Sequence, residues 1–134
     1  MKEVSSVEDV TQMATLEDPT MWTDVCPISA IDVEGGVLAL VGGEAVAVFR
    51  SGADELYALS GWDPFSRACV LARGIMGTRG GTPFVASPMH KQAFDLRTGH
   101  CLDDAAVQVP TFPVRLHEGR VLVGPRHAHL GEGP

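Results

Sequence analysis

Short apolar runs fenced by glycine pairs constrain this chain more than any other feature. Val37-Leu38-Ala39-Leu40-Val41 lies between Gly35-Gly36 and Gly42-Gly43, and Ala45 to Phe49 repeats the pattern before Ser51-Gly52-Ala53-Asp54 turns the chain. Runs this short do not make a helix that persists in water, but they match the usual length of a strand. Leu56 to Leu59 supplies a third run, so the spacing predicts an antiparallel meander. Near the end, Val114-Arg115-Leu116-His117 and Arg120-Val121-Leu122-Val123 flank Glu118-Gly119. That pattern predicts a two-residue hairpin with Val114, Leu116, Val121 and Val123 on or near the buried face. Fifteen Gly and nine Pro in 134 residues fit many turns and short elements, and the length suits one core. The fold class expected from the pattern is all-β, a sandwich or small barrel.

The flanks read differently. Ser6 followed by Val7, Val10 and Ala14, with Glu8 and Asp9 in the first turn and Pro19 beyond, predicts either a short amphipathic helix or an acidic tail. Strand signals start at Trp22, and after Pro125 the chain has no periodicity, although His127 and His129 form an x-His-x-His pair with stray metal affinity. The expected division is therefore a tail or helix over 1–20, a domain over 21–125 and a tail over 126–134. From Ser60 to Thr82 the strand pattern breaks. Gly74, Gly77, Gly80 and Gly81 with Arg73 and Arg79 could cradle a phosphate, but no Gly-Lys-Ser/Thr follows, and the reading is an irregular loop.

Charge narrows the partners. A net charge of −7 lacks the positive footprint that nucleic acid requires. Residues 1–62 carry two bases and eleven acids, whereas residues 63–97 carry Arg67, Arg73, Arg79, Lys91 and Arg97 against Asp63 and Asp95, a local net of +3. Apolar runs such as Gly35–Gly43 are too short to span a membrane, and the first residues lack the apolar core of a secretion signal, so a cytoplasmic chain is expected. Three widely spaced cysteines, Cys26, Cys69 and Cys101, suggest reduced and largely buried thiols rather than a disulfide framework.

Two segments carry a resemblance. Ser60-Gly61-Trp62-Asp63-Pro64-Phe65-Ser66 and Ala86-Ser87-Pro88-Met89-His90-Lys91-Gln92-Ala93-Phe94-Asp95-Leu96-Arg97-Thr98-Gly99 resemble the two halves of a Rieske iron–sulfur box. Each half of such a box gives one Cys and one His to a two-iron cluster. Carried over, the ligand positions hold Asp63, Phe65, Ser87 and His90, and only His90 keeps a ligand type. The resemblance thus implies a Rieske-like antiparallel sandwich with two ligand-type loops and no cluster, with Cys69 and Cys101 as small core residues. It is similar in this to the small subunits of assimilatory NAD(P)H-dependent nitrite reductases, over nearly the whole span from Trp22 to Val123.

That likeness implies an accessory subunit of a complex reducing nitrite to ammonium in nitrate assimilation. Its partner would be the large subunit, which would carry siroheme, [4Fe-4S], FAD and the nicotinamide site, with no cofactor in this chain. The loop tip, Pro64, Phe65, Arg67, Met89, Lys91 and Gln92, would be the docking patch: an apolar centre with basic neighbours. Phe65 and Met89 could instead fill the space of the absent cluster. Two other readings are a Rieske-type [2Fe-2S] electron-transfer ferredoxin, disfavoured by the missing ligands, and a stand-alone binding module. Catalysis by this chain alone has little support. Asp63 with His90 could form an acid–base pair and Ser66 or Ser87 could be offered as a nucleophile, but no elbow or triad spacing is present.

Overall fold

The computed structural model describes residues 22–126. The expected readings of the first twenty residues, and of His127 and His129, lie outside them. Nine strands follow in order: β1 (Thr23–Pro27), β2 (Gly35–Val41), β3 (Glu44–Arg50), β4 (Leu56–Ser60), β5 (Ile75–Arg79), β6 (Thr82–Ala86), β7 (Ala93–Asp95), β8 (Val114–His117) and β9 (Arg120–Val123). They form three antiparallel sheets, ordered β1-β9-β8, β2-β3-β4 and β5-β6-β7.

The meander β2-β3-β4 is the middle layer, and this explains the continuous apolar run of its central strand β3. Side chains alternate across a strand, so a strand covered on both faces must be apolar at every position. Val46, Ala47, Val48 and Phe49 of β3 are all buried. Ala47 and Phe49 enter one core with Leu59, Leu71, Val85, Phe94, Leu96, Cys101 and Val109. Val46 and Val48 enter a second core with Ile31, Val41, Ala58, Phe112, Val121 and Val123. The first core joins the meander to β5-β6-β7, which carries one ligand-type loop, and the second joins it to β1-β9-β8. Burying a side chain the size of Phe49 contributes roughly 3 kcal/mol, so β3 ties the site-bearing layer to the rest.

Three expectations need correction. The stretch read as an irregular loop contains β5, and Arg79 pairs with Thr82 across a turn in which Gly80 and Gly81 have φ of 59° and 85°. Both glycines meet the left-handed requirement of a type I′ hairpin, so their freedom shapes a turn rather than a phosphate cradle. Leu116, expected near the buried face, is 49% exposed because β8 is an edge strand, while its partner Val121 is buried. Finally, Cys101 is buried and Cys26 half-buried, but Cys69 is exposed and is no core residue. The Glu118-Gly119 turn is as the sequence predicts, with φ of 53° and 79° between β8 and β9.

Candidate functional site

Two loops of matching backbone construction leave the ends of β4 and β6. In the first, the Asp63 N–H donates to Ala68 O (2.8 Å) and the Arg67 N–H to Asp63 O (2.7 Å). In the second, the Ser87 N–H donates to Gln92 O (2.9 Å) and the Lys91 N–H to Ser87 O (2.9 Å). The opening side chain turns each loop in the same way: Asp63 Oδ1 accepts from the Phe65 N–H (2.9 Å) and Ser87 Oγ from the Met89 N–H (3.1 Å). Pro64 and Pro88 follow the opening residues, with their φ fixed by the ring. Each loop closes on a basic residue in the left-handed region, Arg67 at φ 59° and Lys91 at φ 67°. Such φ values are uncommon outside glycine, so the two loops share an unusual turn.

A single carboxylate joins them. Asp63 is fully buried and Ser87 is 1% exposed. The Ser87 hydroxyl donates to Asp63 Oδ2 in a very short hydrogen bond, and the Ser66 hydroxyl donates to the same oxygen at 2.7 Å. Burial pushes the Asp63 carboxyl up, but the bonds from Ser87, Ser66 and the loop amides outweigh it and hold the carboxyl below its ordinary value. Asp63 is thus a charged acceptor inside the protein with its donors supplied, the condition under which a buried charge is tolerated. Both serine hydroxyls donate to it, and Ser87 is out of solvent.

The sequence-derived site residues separate into two sets. Asp63 and Ser87 come together, whereas Phe65 turns inward, half-buried on the first core with its ring centroid 6.1 Å from that of Phe94. Pro64 and Gln92 are also half-buried, with Gln92 Oε1 buried and without a hydrogen-bond partner among the described residues. Arg67, Pro88, Met89, His90 and Lys91 are exposed. Two surface residues were missed by the sequence reading: Trp62, directly before Asp63, and Ile75, which pairs with Ala86 at the root of the second loop. The adjacency of Trp62 to Asp63 was the available signal; Ile75 needed the strand register. Arg67, Arg73 and Lys91 make no ion pair among the described residues, while Arg79 pairs with Asp103 (3.2 Å) and Arg97 with Asp95 (3.2 Å).

The residues at the four positions that the resemblance matches to cluster ligands do not fit a two-iron cluster. A carboxylate and a hydroxyl bonded to one another stand where thiolates are needed, and an aromatic ring packed on the core stands where one imidazole is needed. Among the described residues, no group of three or more His, Cys, Asp or Glu could hold a metal ion, and no helix is long and apolar enough to cross a membrane.

A model of the Rieske-like [2Fe-2S] domain matches residues 21–124. The chain is 41% identical over 103 residues to the nitrite reductase (NADH) small subunit of Escherichia coli K12, covering 76% of this chain and 95% of that one. It is also 41% identical over 103 residues to part of the nitrite reductase [NAD(P)H] large subunit of Klebsiella oxytoca, covering 77% of this chain but only 11% of that one. The solved structure of the Escherichia coli protein NirD superposes with a TM-score of 0.72 at 40% identity, covering 80% of this chain and 96% of that chain.

Proposed function

Because the chain belongs to the Rieske-like [2Fe-2S] domain family and, within it, to the nitrite reductase small subunits, we propose that it is the accessory subunit of an NAD(P)H-dependent nitrite reductase. The observation that carries this is the match to a small subunit across 95% of that protein's length. The similar segment within the Klebsiella oxytoca large subunit supports the partner, since there the domain and the large subunit share one polypeptide. The electron-transferring ferredoxin reading loses its basis with the ligands. This chain then holds no cluster of its own, and siroheme, [4Fe-4S] and FAD lie on the large subunit.

The docking surface in this reading is the tip made by the two loops. Met89, Trp62 and Ile75 supply its apolar contact, and Arg67, Lys91 and Arg73, which make no ion pair among the described residues, its positive charge. Pro64, Phe65 and Gln92 lie under it and fix its shape. A partner patch of opposite sign would be steered here. Co-expression with the large subunit tests the function. The two should co-elute, and nitrite reduction with NAD(P)H should be faster than with the large subunit alone; separate elution with an unchanged rate overturns the reading.

A further inference from the structure

One sheet edge lacks the protection that the others have. β2 is an outer strand of the meander, and no backbone ladder joins it to β1; a cavity of about 290 Å³ lies between its residues 37–40 and residues 23–26 of β1. Soluble proteins blunt such edges with charges, prolines, bulges or a covering segment. The other outer strands carry these devices. β1 has Asp24, Pro27 and a bulge between Asp24 and Cys26, β5 ends on Arg79, and β8 holds Arg115 and His117. β4 is covered where the Ser60 N–H donates to Pro110 O and the Phe112 N–H to Ala58 O, and β7 where the Asp95 N–H donates to His100 O. Among the described residues β2 has none of them. Its seven residues, Gly-Gly-Val-Leu-Ala-Leu-Val, run in unbroken register with β3 and leave Leu38 51% and Leu40 72% exposed.

Pairing with β3 decides which backbone groups face outward. Val41 opposes Glu44 across the two-residue Gly42-Gly43 turn, so Val41, Ala39 and Val37 exchange their hydrogen bonds with β3. Ala45 O fits this alternation, because it points the other way, to the Gly61 N–H (2.8 Å). The N–H and C=O groups of Gly36, Leu38 and Leu40 therefore lie on the open edge. We propose that a second copy of this chain occupies it, the two β2 strands pairing antiparallel about a twofold axis at Leu38 and joining two three-stranded meanders into one sheet. This register overlaps all seven residues of the strand. It sets Leu38 opposite its own copy, Leu40 opposite Gly36 and Val41 opposite Gly35, so the bulkier side chains at the ends meet glycines, and every outward backbone group finds a partner. No charged residue lies in the paired span, so no like charges oppose each other across the seam. The seam is short, below the roughly 1,200 Å² of a standard interface, and the dimer forms only at raised concentration.

Sedimentation velocity of the full chain tests the pairing. Between about 5 and about 500 μM the parent should shift from monomer toward dimer, whereas Leu38→Lys/Leu40→Lys should stay monomeric with an unchanged thermal midpoint. Crosslinking in a Cys26→Ser/Cys69→Ser background reads the register. Residues opposed as a hydrogen-bonded pair stand about 5.5 Å apart between Cα atoms, within disulfide reach, but Leu40 and its copy are offset by roughly 13 Å along the strand. With oxidised glutathione, Leu38→Cys should thus form an interchain disulfide at least about tenfold faster than Leu40→Cys. A parent that stays monomeric throughout the range overturns the proposal, as does a dimer that persists in the lysine variant or equal linking at both positions. So does a parent that is monomeric alone while its lysine variant no longer co-elutes with the large subunit, which would assign the edge to that partner.

Discussion

The two ligand-type loops follow one backbone pattern and have opposite relations to water. The first opens on a fully buried carboxylate and lays Phe65 on the core, while the second exposes Pro88, Met89, His90 and Lys91, with Met89 62% exposed. A bound cluster would tie two such loops through its ligands; here one acceptor, Asp63, ties them through hydroxyl groups. The difference teaches a division of labour. The first loop is part of the interior and sets the geometry, and the second presents its side chains to solvent. Substitutions should therefore fail in different assays on the two loops.

The largest effect should come at Asp63. Asp63→Ala leaves the Ser87 and Ser66 hydroxyls and the Phe65 N–H without their acceptor in a buried place, at a cost of about 3 kcal/mol, or on the order of 10 °C in thermal midpoint for a chain of this size. Urea unfolding measures it; a loss below about 1 kcal/mol would break the contrast between loops. Asp63→Asn retains an acceptor and should cost less. The pH dependence follows from the depressed folded value: its stabilisation is present above the unfolded carboxyl value near 3.9 and is lost as pH falls through the lower folded value. The stability gap between the parent and Asp63→Asn should accordingly be flat above about pH 5 and close below about pH 4.

Next in size is a paired comparison, Phe65→Ala against Met89→Ala. Phe65 packs on the first core beside Phe94, and its truncation should cost about 2 kcal/mol, less than a wholly buried phenylalanine. Met89 is exposed, so its truncation should stay within about 0.5 kcal/mol while weakening assembly with the large subunit. Equal destabilisation by both would mean that Met89 fills the space of the cluster after all.

How far the sequence carried this picture depended on whether a feature was local. The meander and the Glu118-Gly119 hairpin were legible because glycine pairs and short apolar runs fix them within a few residues. β5 was missed because its five residues, Ile-Met-Gly-Thr-Arg, combine a glycine and a charge in an edge strand that only partly buries. Of the site, Asp63, Phe65, Ser87 and His90 were singled out through the likeness of their two segments to a Rieske box. That Asp63 and Ser87 bond to each other could not be read in this way, since the pair is 24 residues apart and depends on how the middle sheet brings the loops together. The inward turn of Phe65 likewise depends on Phe94, which arrives from β7.

A smaller effect, confined to association, is expected from the tip charges. Arg67→Glu with Lys91→Glu should weaken assembly by about tenfold at low salt and less at high salt, because exposed charges chiefly alter the association rate and are screened. The isolated chain should unfold as the parent does. If instead charge reversals among Asp32, Glu34, Asp54 and Glu55 disrupt the complex and the tip reversal does not, the docking face lies elsewhere.

The smallest effect separates backbone from charge within the second loop. Lys91 holds φ 67° because its N–H must reach Ser87 O, and a side chain in that region costs about 1 kcal/mol that glycine does not incur. Glycine also gains freedom in the unfolded chain, which offsets part of the relief. Lys91→Gly should therefore leave stability unchanged or raise it by up to about 0.5 kcal/mol, while removing one positive charge from the tip and weakening assembly by about threefold at low salt. Arg67→Gly should behave alike if the loops share one turn. Chemical denaturation and binding measured side by side decide it. A Lys91→Gly chain that loses stability would show that the lysine side chain, and not the hydrogen-bonded turn, holds the second loop in place, and the two loops would then be alike only in outline.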